Sequence, residues 1–240
     1  MVTRPVAQAS KLCELIAAQG GKALAFPTIV IEPIDAAAPT DAVDWLIFIS
    51  ANAVRHGLPL LTRSASTRIA AIGKATAAAL ADNEIRVDAM PLGHTTSETL
   101  LAHPALANVQ TQSVLIVKGV GGRELLQDEL IQRGARVATF EVYRRAQPSA
   151  DDARVTQVEQ EWREGIDIVT LTSVETLDNL LAMLTDAGRA LLKTTPFVTP
   201  SQRIATAARA KGLRGQCVLS RSADDDALVG AIAAWHARAR

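Results

Sequence analysis

D-W-L-I-F-I-S-A-N-A-V (Asp44–Val54) and D-I-V-T-L-T-S-V-E-T-L (Asp167–Leu177) share one plan: an Asp, a short apolar run, a Ser, and the opening of a helix. A strand that ends in Ser and turns at once into a helix sets a hydroxyl and free backbone N–H groups at the carboxyl edge of a sheet. Open parallel sheets bind their ligands at that edge. Two copies in one chain predict two similar lobes facing a shared ligand.

The repeat reaches further. A-I-G-K-A-T-A-A-A-L (Ala71–Leu80) follows the first unit and F-V-T-P-S-Q-R-I-A (Phe197–Ala205) follows the second. Each reads as a strand, a tight turn, and a hydroxyl in the first helical turn, Thr76 or Ser201. E-L-I at Glu14–Ile16 precedes Gly-Gly and a strand, and E-L-I at Glu129–Ile131 precedes Arg-Gly and a strand. Three matches in the same order indicate duplication.

Composition sets the class. A chain of 240 residues suits one large domain or two of about 120. Hydrophobic content of 48% is enough to fill cores. The 25 basic and 25 acidic residues balance, giving no reason to expect a nucleic-acid or acidic-membrane partner. Aromatics are 3%, too few for a base-stacking surface, which makes the lone Tyr143 conspicuous. Cys13 and Cys217 have no metal spacing and imply no disulfide framework. Without a signal peptide's apolar core or a membrane-length run, a soluble cytoplasmic protein is expected.

Short apolar strands are predicted at 23–26, 45–49, 69–72, 114–117, 168–171, 197–199 and 217–219, with helices at 74–82, 123–133, 174–184, 202–210 and after Ser222. Strands alternating with helices mean parallel sheets covered on both faces, an α/β protein. F-P-T-I-V-I-E-P-I (Phe26–Ile34) and A-T-F-E-V-Y-R-R (Ala138–Arg145) break the rhythm, each extended and each followed by a polar, Ala/Pro-rich patch. They predict a two-stranded antiparallel ribbon, about 27–35 and 138–146, between a continuous lobe at 36–143 and a discontinuous lobe of 1–34 plus 144–240. A single large doubly wound sheet is the alternative.

V-K-G-V-G-G-R-E-L-L (Val117–Leu126) places glycines between a strand and a helix. Such glycines let an anion approach the helix N-terminus, where free N–H groups favour negative charge. Lys118 and Arg123 flank Gly119, Gly121 and Gly122 and favour an anion site over a plain turn. Glu124 breaks G-x-G-x-x-G, so a dinucleotide site is not supported. Singly, Ser50, Thr76, Ser173 and Ser201 are N-caps worth about 1 kcal/mol each. Together they predict a rim of donors suited to carboxylates. Arg4, in T-R-P, is expected at the end of the first strand, and Arg55 one turn into a helix; a solvated surface charge is the other reading of each.

His56, His94, His103 and His236 form no ligand pair at helical spacing, and no G-x-S-x-G elbow is present. A site rich in amides and hydroxyls and poor in acid–base groups fits chemistry on an already reactive substrate.

V-T-R-P (Val2–Pro5), G-G-K-A-L-A-F-P-T-I-V-I-E-P (Gly20–Pro33), S-x-N-A-V (Ser50–Val54), A-I-G-K-A-T (Ala71–Thr76), T-S-E-T-L-L (Thr96–Leu101), V-K-G-x-G-G-R-x-x-L and E-V-Y-R-R (Glu141–Arg145) together resemble the uroporphyrinogen-III synthase family along essentially the whole chain. The resemblance implies two flavodoxin-like doubly wound parallel-sheet lobes joined by a two-stranded ribbon. It implies an enzyme of heme and tetrapyrrole biosynthesis, a lyase that releases the terminal hydroxyl of hydroxymethylbilane. Closure through a spiro intermediate then gives uroporphyrinogen III, with ring D inverted, water as the other product and no cofactor. It further implies a proton-donating role for Tyr143, whose alternative is an amphipathic ribbon residue. Thr76, Ser50 and Ser173 match family cleft positions, and Asn52 and Ser97 join the expected substrate contacts within their motifs. A monomer is expected, with the hydroxymethylbilane-forming enzyme as a further partner. Departures are Ser201-Gln202 where the family often carries consecutive threonines, Ile49 for a threonine, and a first strand starting at Val2-Thr3-Arg4. That short start implies a frayed strand or a mis-assigned start. Two other classes remain at this stage: a non-catalytic bilobed small-molecule binding protein and a nucleotide-dependent enzyme.

Overall fold

A computed structural model describes every residue except Leu92, His94, Thr95, Arg123, Ala150, Asp151 and Arg240. In chain order the elements are α1 (Val6–Ala18), β1 (Val30–Pro33), β2 (Trp45–Phe48), α2 (Ala51–Gly57), β3 (Arg68–Ala71), α3 (Lys74–Ala81), α4 (Ser97–Leu101), β4 (Ser113–Gly119), α5 (Leu125–Gln132), β5 (Arg136–Ala146), α6 (Asp152–Gly165), β6 (Val169–Thr170), α7 (Val174–Met183), α8 (Asp186–Thr194), β7 (Phe197–Thr199), α9 (Gln202–Ala210), β8 (Cys217–Leu219) and α10 (Asp225–Ala239). The chain divides into two compact units, Met1–Val30 with Ala146–Arg240, and Ile31–Arg145.

In the Ile31–Arg145 unit the sheet order is β1-β5-β4-β2-β3, and β2, β3, β4 and β5 run parallel. All four residues of β2 are buried, as suits a strand covered on both faces. Trp45 and Ile47 pack with Val114, Ile116, Leu126 and Leu130 on one face. Leu46 and Phe48 pack with Val54, Leu80, Leu115 and Val117 on the other. Burial of each such large side chain contributes about 1.5–3 kcal/mol. Asp44 fixes the register at the amino end of β2. Its carboxylate accepts from the Ser113 N–H at 2.7 Å and the Ser113 hydroxyl at 2.9 Å. These two hydrogen bonds hold the Asp44 carboxyl below its usual range.

The extended stretch around Tyr143 belongs mostly to this sheet. β5 pairs with β4 from Ser113↔Arg136 to Gly119↔Tyr143, with a register shift between Lys118 and Gly119. On its other side Ile34 N–H donates to the Val142 carbonyl at 3.1 Å and Glu32 pairs with Arg144 at 2.7 Å. Partner numbers that rise on one strand and fall on the other mark an antiparallel pairing. This pairing involves β1 and the end of β5, a narrower span than 27–35 with 138–146. The alternation in A-T-F-E-V-Y fits a half-buried strand of either a ribbon or a sheet, so the pattern alone left the partner open.

In the other unit β6, β7 and β8 are parallel in that order. The strand expected over 23–26 is reduced to one parallel bridge, Val2↔Ala25. The first strand is nevertheless not frayed. Val2 N–H donates to the Leu24 carbonyl at 2.7 Å, and Thr170 N–H donates to the Met1 carbonyl at 3.0 Å. Val2 is buried beside Leu12, Val198 and Leu228, while Phe26, Val169, Leu171 and Phe197 pack on the opposite face with Trp162, Leu177 and Ile204.

Counting these short pairings, this unit orders its extended segments 24–28, 1–3, β6, β7, β8. The other orders β5, β4, β2, β3 and then a segment at Ala89, which bridges Ala70 in parallel. The two orders coincide when β4 stands for 1–3 and β5 for 24–28. α1 and α5, bearing the two E-L-I matches, are then equivalent, as are the two Asp–strand–Ser units. The duplicated halves follow each other in sequence, yet each unit draws one βαβ piece from each half.

Candidate functional site

The carboxyl end of β2 carries Ser50, whose Oγ accepts from the Ala53 N–H at 2.9 Å and caps α2. The same Oγ lies 3.0 Å from the Tyr143 hydroxyl. Tyr143 is 4% exposed within the apolar cluster that includes Val117 and Val142. It is therefore a buried residue of β5, in the stretch that also pairs with β1, with its hydroxyl at the sheet's carboxyl edge. Gly119 forms the seat of its ring, and the His56 ring lies 6.0 Å away, centroid to centroid.

Other predicted residues of this unit distribute around the same edge. Asn52 Oδ1 accepts from Arg55 at 3.2 Å. Thr76 is buried in the first turn of α3, where the N-cap is Gly73 and no side chain caps the helix. Thr96, not Ser97, caps α4, forming a reciprocal box with Thr99. Ser97 and Lys118 line one small cavity of about 20 Å³ with Gln127 and Thr139. Lys118 is buried, and it makes no ion pair or hydrogen bond among the described residues. In the glycine loop Gly121 and Gly122 have φ of 74° and 94°, a region that favours glycine. The Gly121 N–H points to the Glu141 carboxylate at 3.4 Å, so this loop already faces an anion. Helix α5 starts at Leu125, later than expected, and Arg123 lies outside the described residues.

In the discontinuous unit Ser173 and Ser201 cap α7 and α9, accepting from Thr176 N–H at 2.9 Å and Ile204 N–H at 3.4 Å. Arg4 is committed elsewhere: its guanidinium pairs with Asp225 and donates to the Ala223 carbonyl at the start of α10. Sequence reasoning missed Thr199, fully buried at the end of β7, whose hydroxyl has no partner among the described residues. The T-P turn beside it was the available signal. Asp225, His56 and Glu141 were also missed, and only the fold gives them their neighbours.

Burial pushes the Cys13 and Cys217 thiols up, away from the reactive thiolate. Among the described residues no group of three or more His, Cys, Asp or Glu is placed to hold a metal, and no helix is long and apolar enough to cross a membrane.

The family model described as uroporphyrinogen-III synthase HemD matches residues 10–230. The chain belongs to the uroporphyrinogen-III synthase family. It is 32% identical to the uroporphyrinogen-III synthase of Salmonella typhimurium over 250 aligned positions, covering 97% of this chain and 98% of that one. Against the Escherichia coli enzyme the identity is 31%, with the same coverage. Among solved structures, uroporphyrinogen III synthase of Thermus thermophilus superposes with a TM-score of 0.55 at 20% identity, covering 99% of each chain. The Helicobacter pylori enzyme gives 0.63 at 14% identity, over 90% of this chain and 93% of that one. These two likenesses bear on the fold, which is that of uroporphyrinogen III synthases.

Proposed function

We propose that this chain converts hydroxymethylbilane to uroporphyrinogen III, and that Tyr143 supplies the proton for departure of the terminal hydroxyl. The observation that carries the reading is the Tyr143 hydroxyl beside Ser50 at the carboxyl edge, 3.0 Å from its Oγ, in a chain of this family. Proton transfer from the phenol lets the hydroxyl leave as water while the pyrrole nitrogen's electrons open the C–O bond. Ring D attacks the cation so formed through its substituted α-carbon to give the spiro intermediate. The original bond from that carbon to the methylene of ring C then breaks. The freed methylene cation is captured by ring D's other α-carbon, and that carbon, joined last, sheds a proton that restores the phenol. Positioning and electrostatics carry most of the acceleration, because the substrate loses water readily by itself.

The substrate's eight carboxylates call for donors rather than acids. Lys118, Ser97, Asn52, Thr76 and the amides of Gly119, Gly121 and Gly122 meet that need in the 36–143 lobe, and Arg123 follows Gly122 in the sequence. Ser173 and Ser201 offer the same chemistry in the lobe of 1–34 and 144–240. Arg4 is bound to Asp225 and is assigned to structure. Because hydroxymethylbilane closes spontaneously to the type I isomer, we place the protein where that substrate is released, as a cytoplasmic monomer beside the enzyme that forms it.

The test is to supply freshly generated hydroxymethylbilane and separate the oxidised porphyrin isomers. Type III is expected to dominate. Type I as the only product at high protein concentration would end the synthase reading.

A further inference from the structure

We propose that Ser50 is a positioning residue that donates a hydrogen bond to the Tyr143 oxygen and stabilises the phenolate formed when that tyrosine gives up its proton. The inference rests on the reading of Tyr143 as proton donor.

The direction of the bond follows from counting donors and acceptors. A serine hydroxyl has one donor and two lone pairs. One lone pair of Ser50 Oγ is taken by the Ala53 N–H at 2.9 Å. Among the described residues its O–H has one acceptor in reach, the Tyr143 oxygen at 3.0 Å. The phenol O–H must stay free to reach the departing hydroxyl, so it does not point at Ser50 during the reaction. The result is a chain, Ala53 N–H to Ser50 Oγ–H to Tyr143 Oη, in which each bond polarises the next. Negative charge that develops on the phenol meets a donor already in place, which is how fixed donors lower barriers. The proton balance is closed: Tyr143 H goes to the leaving hydroxyl, and the serine keeps its own. The ring carbon joined last then returns a proton to the phenolate.

The role differs from substrate contact, in which Ser50 would bind a carboxylate and set KM. It also differs from capping alone, which Asp performs equally well.

Ser50→Ala is expected to lower kcat about tenfold, the cost of one such hydrogen bond in the transition state, with KM within about twofold. Ser50→Thr keeps the donor and should retain most of kcat. Ser50→Asp keeps the cap, and hence the melting temperature, yet cannot donate, so its kcat should match that of the alanine variant. Adding Ser50→Ala to Tyr143→Phe should cost less than about twofold more. As Tyr143 is the chain's one tyrosine, its Raman doublet reports that phenol alone and should lose an accepted hydrogen bond in Ser50→Ala. A doublet that shifts as for a lost donated bond overturns the bond direction, and an unchanged doublet overturns the bond itself. Unchanged kcat in Ser50→Ala, or full kcat in Ser50→Asp, overturns the positioning role. Full activity in Tyr143→Phe, together with a doublet altered as expected in Ser50→Ala, would instead remove the proton-donor reading and leave the bond standing.

Discussion

Gly119 and Tyr143 are fitted to each other: a Cβ on Gly119 would lie 2.5 Å from the Tyr143 Cζ. The register shift after Lys118 creates this contact, bringing Gly119 opposite Tyr143 and skipping Val142. Gly119 was expected to let an anion approach; its closest demand is for space under a ring. Gly119→Ala should therefore cost about 1–3 kcal/mol through overpacking. Displacing the phenol by about 1 Å should also lower kcat on the order of 100-fold. Thermal melting and steady-state rates test both, and a variant with normal kcat would show that the ring position is unimportant.

Asp44 links pH to the register of β2 and β4. Its carboxyl is held below the usual range by the Ser113 N–H and hydroxyl. A depressed folded-state value contributes stability that is present above the unfolded value, about 3.9 for Asp, and is lost as pH falls through the folded value. Asp44→Asn should remove part of the acid-side slope of stability below about pH 4 and lower the melting temperature at neutral pH. Urea unfolding across pH 2–7 measures it; parallel curves for the two proteins would contradict the assignment.

The parallel sheets, the two Asp–strand–Ser units and the carboxyl edges were legible because buried strands announce themselves as short apolar runs, and W-L-I-F between Asp44 and Ser50 leaves little choice. The edge chemistry was only half legible. Ser50 reads as a cap from its place before a helix, whereas its second partner, Tyr143, depends on sheet order and on a one-residue bulge. Arg4 shows the same limit: T-R-P places it at a strand end, but Asp225 lies at the far end of the chain, in a run that reads simply as helix-capping acids.

Arg4 and Lys118 should separate binding from stability. Arg4 is paired with Asp225 and mostly buried, so Arg4→Met strands a carboxylate and should cost about 3 kcal/mol of stability, with KM little changed. Lys118 is buried without an ion-pair partner among the described residues, so Lys118→Met should leave the melting temperature nearly unchanged and raise KM about tenfold. The reverse pattern, KM rising in Arg4→Met with normal melting, would return Arg4 to the substrate site.

The proton-donor role of Tyr143 is the centre of the account, and single-turnover kinetics of Tyr143→Phe tests it most directly. Removing one hydroxyl from a packed ring should lower the rate of type III formation on the order of 100-fold, as loss of a general acid does. Affinity for uroporphyrinogen III should stay within about twofold, since product binding rests on the carboxylate donors. A Tyr143→Phe protein that turns over at the parent rate would contradict the account.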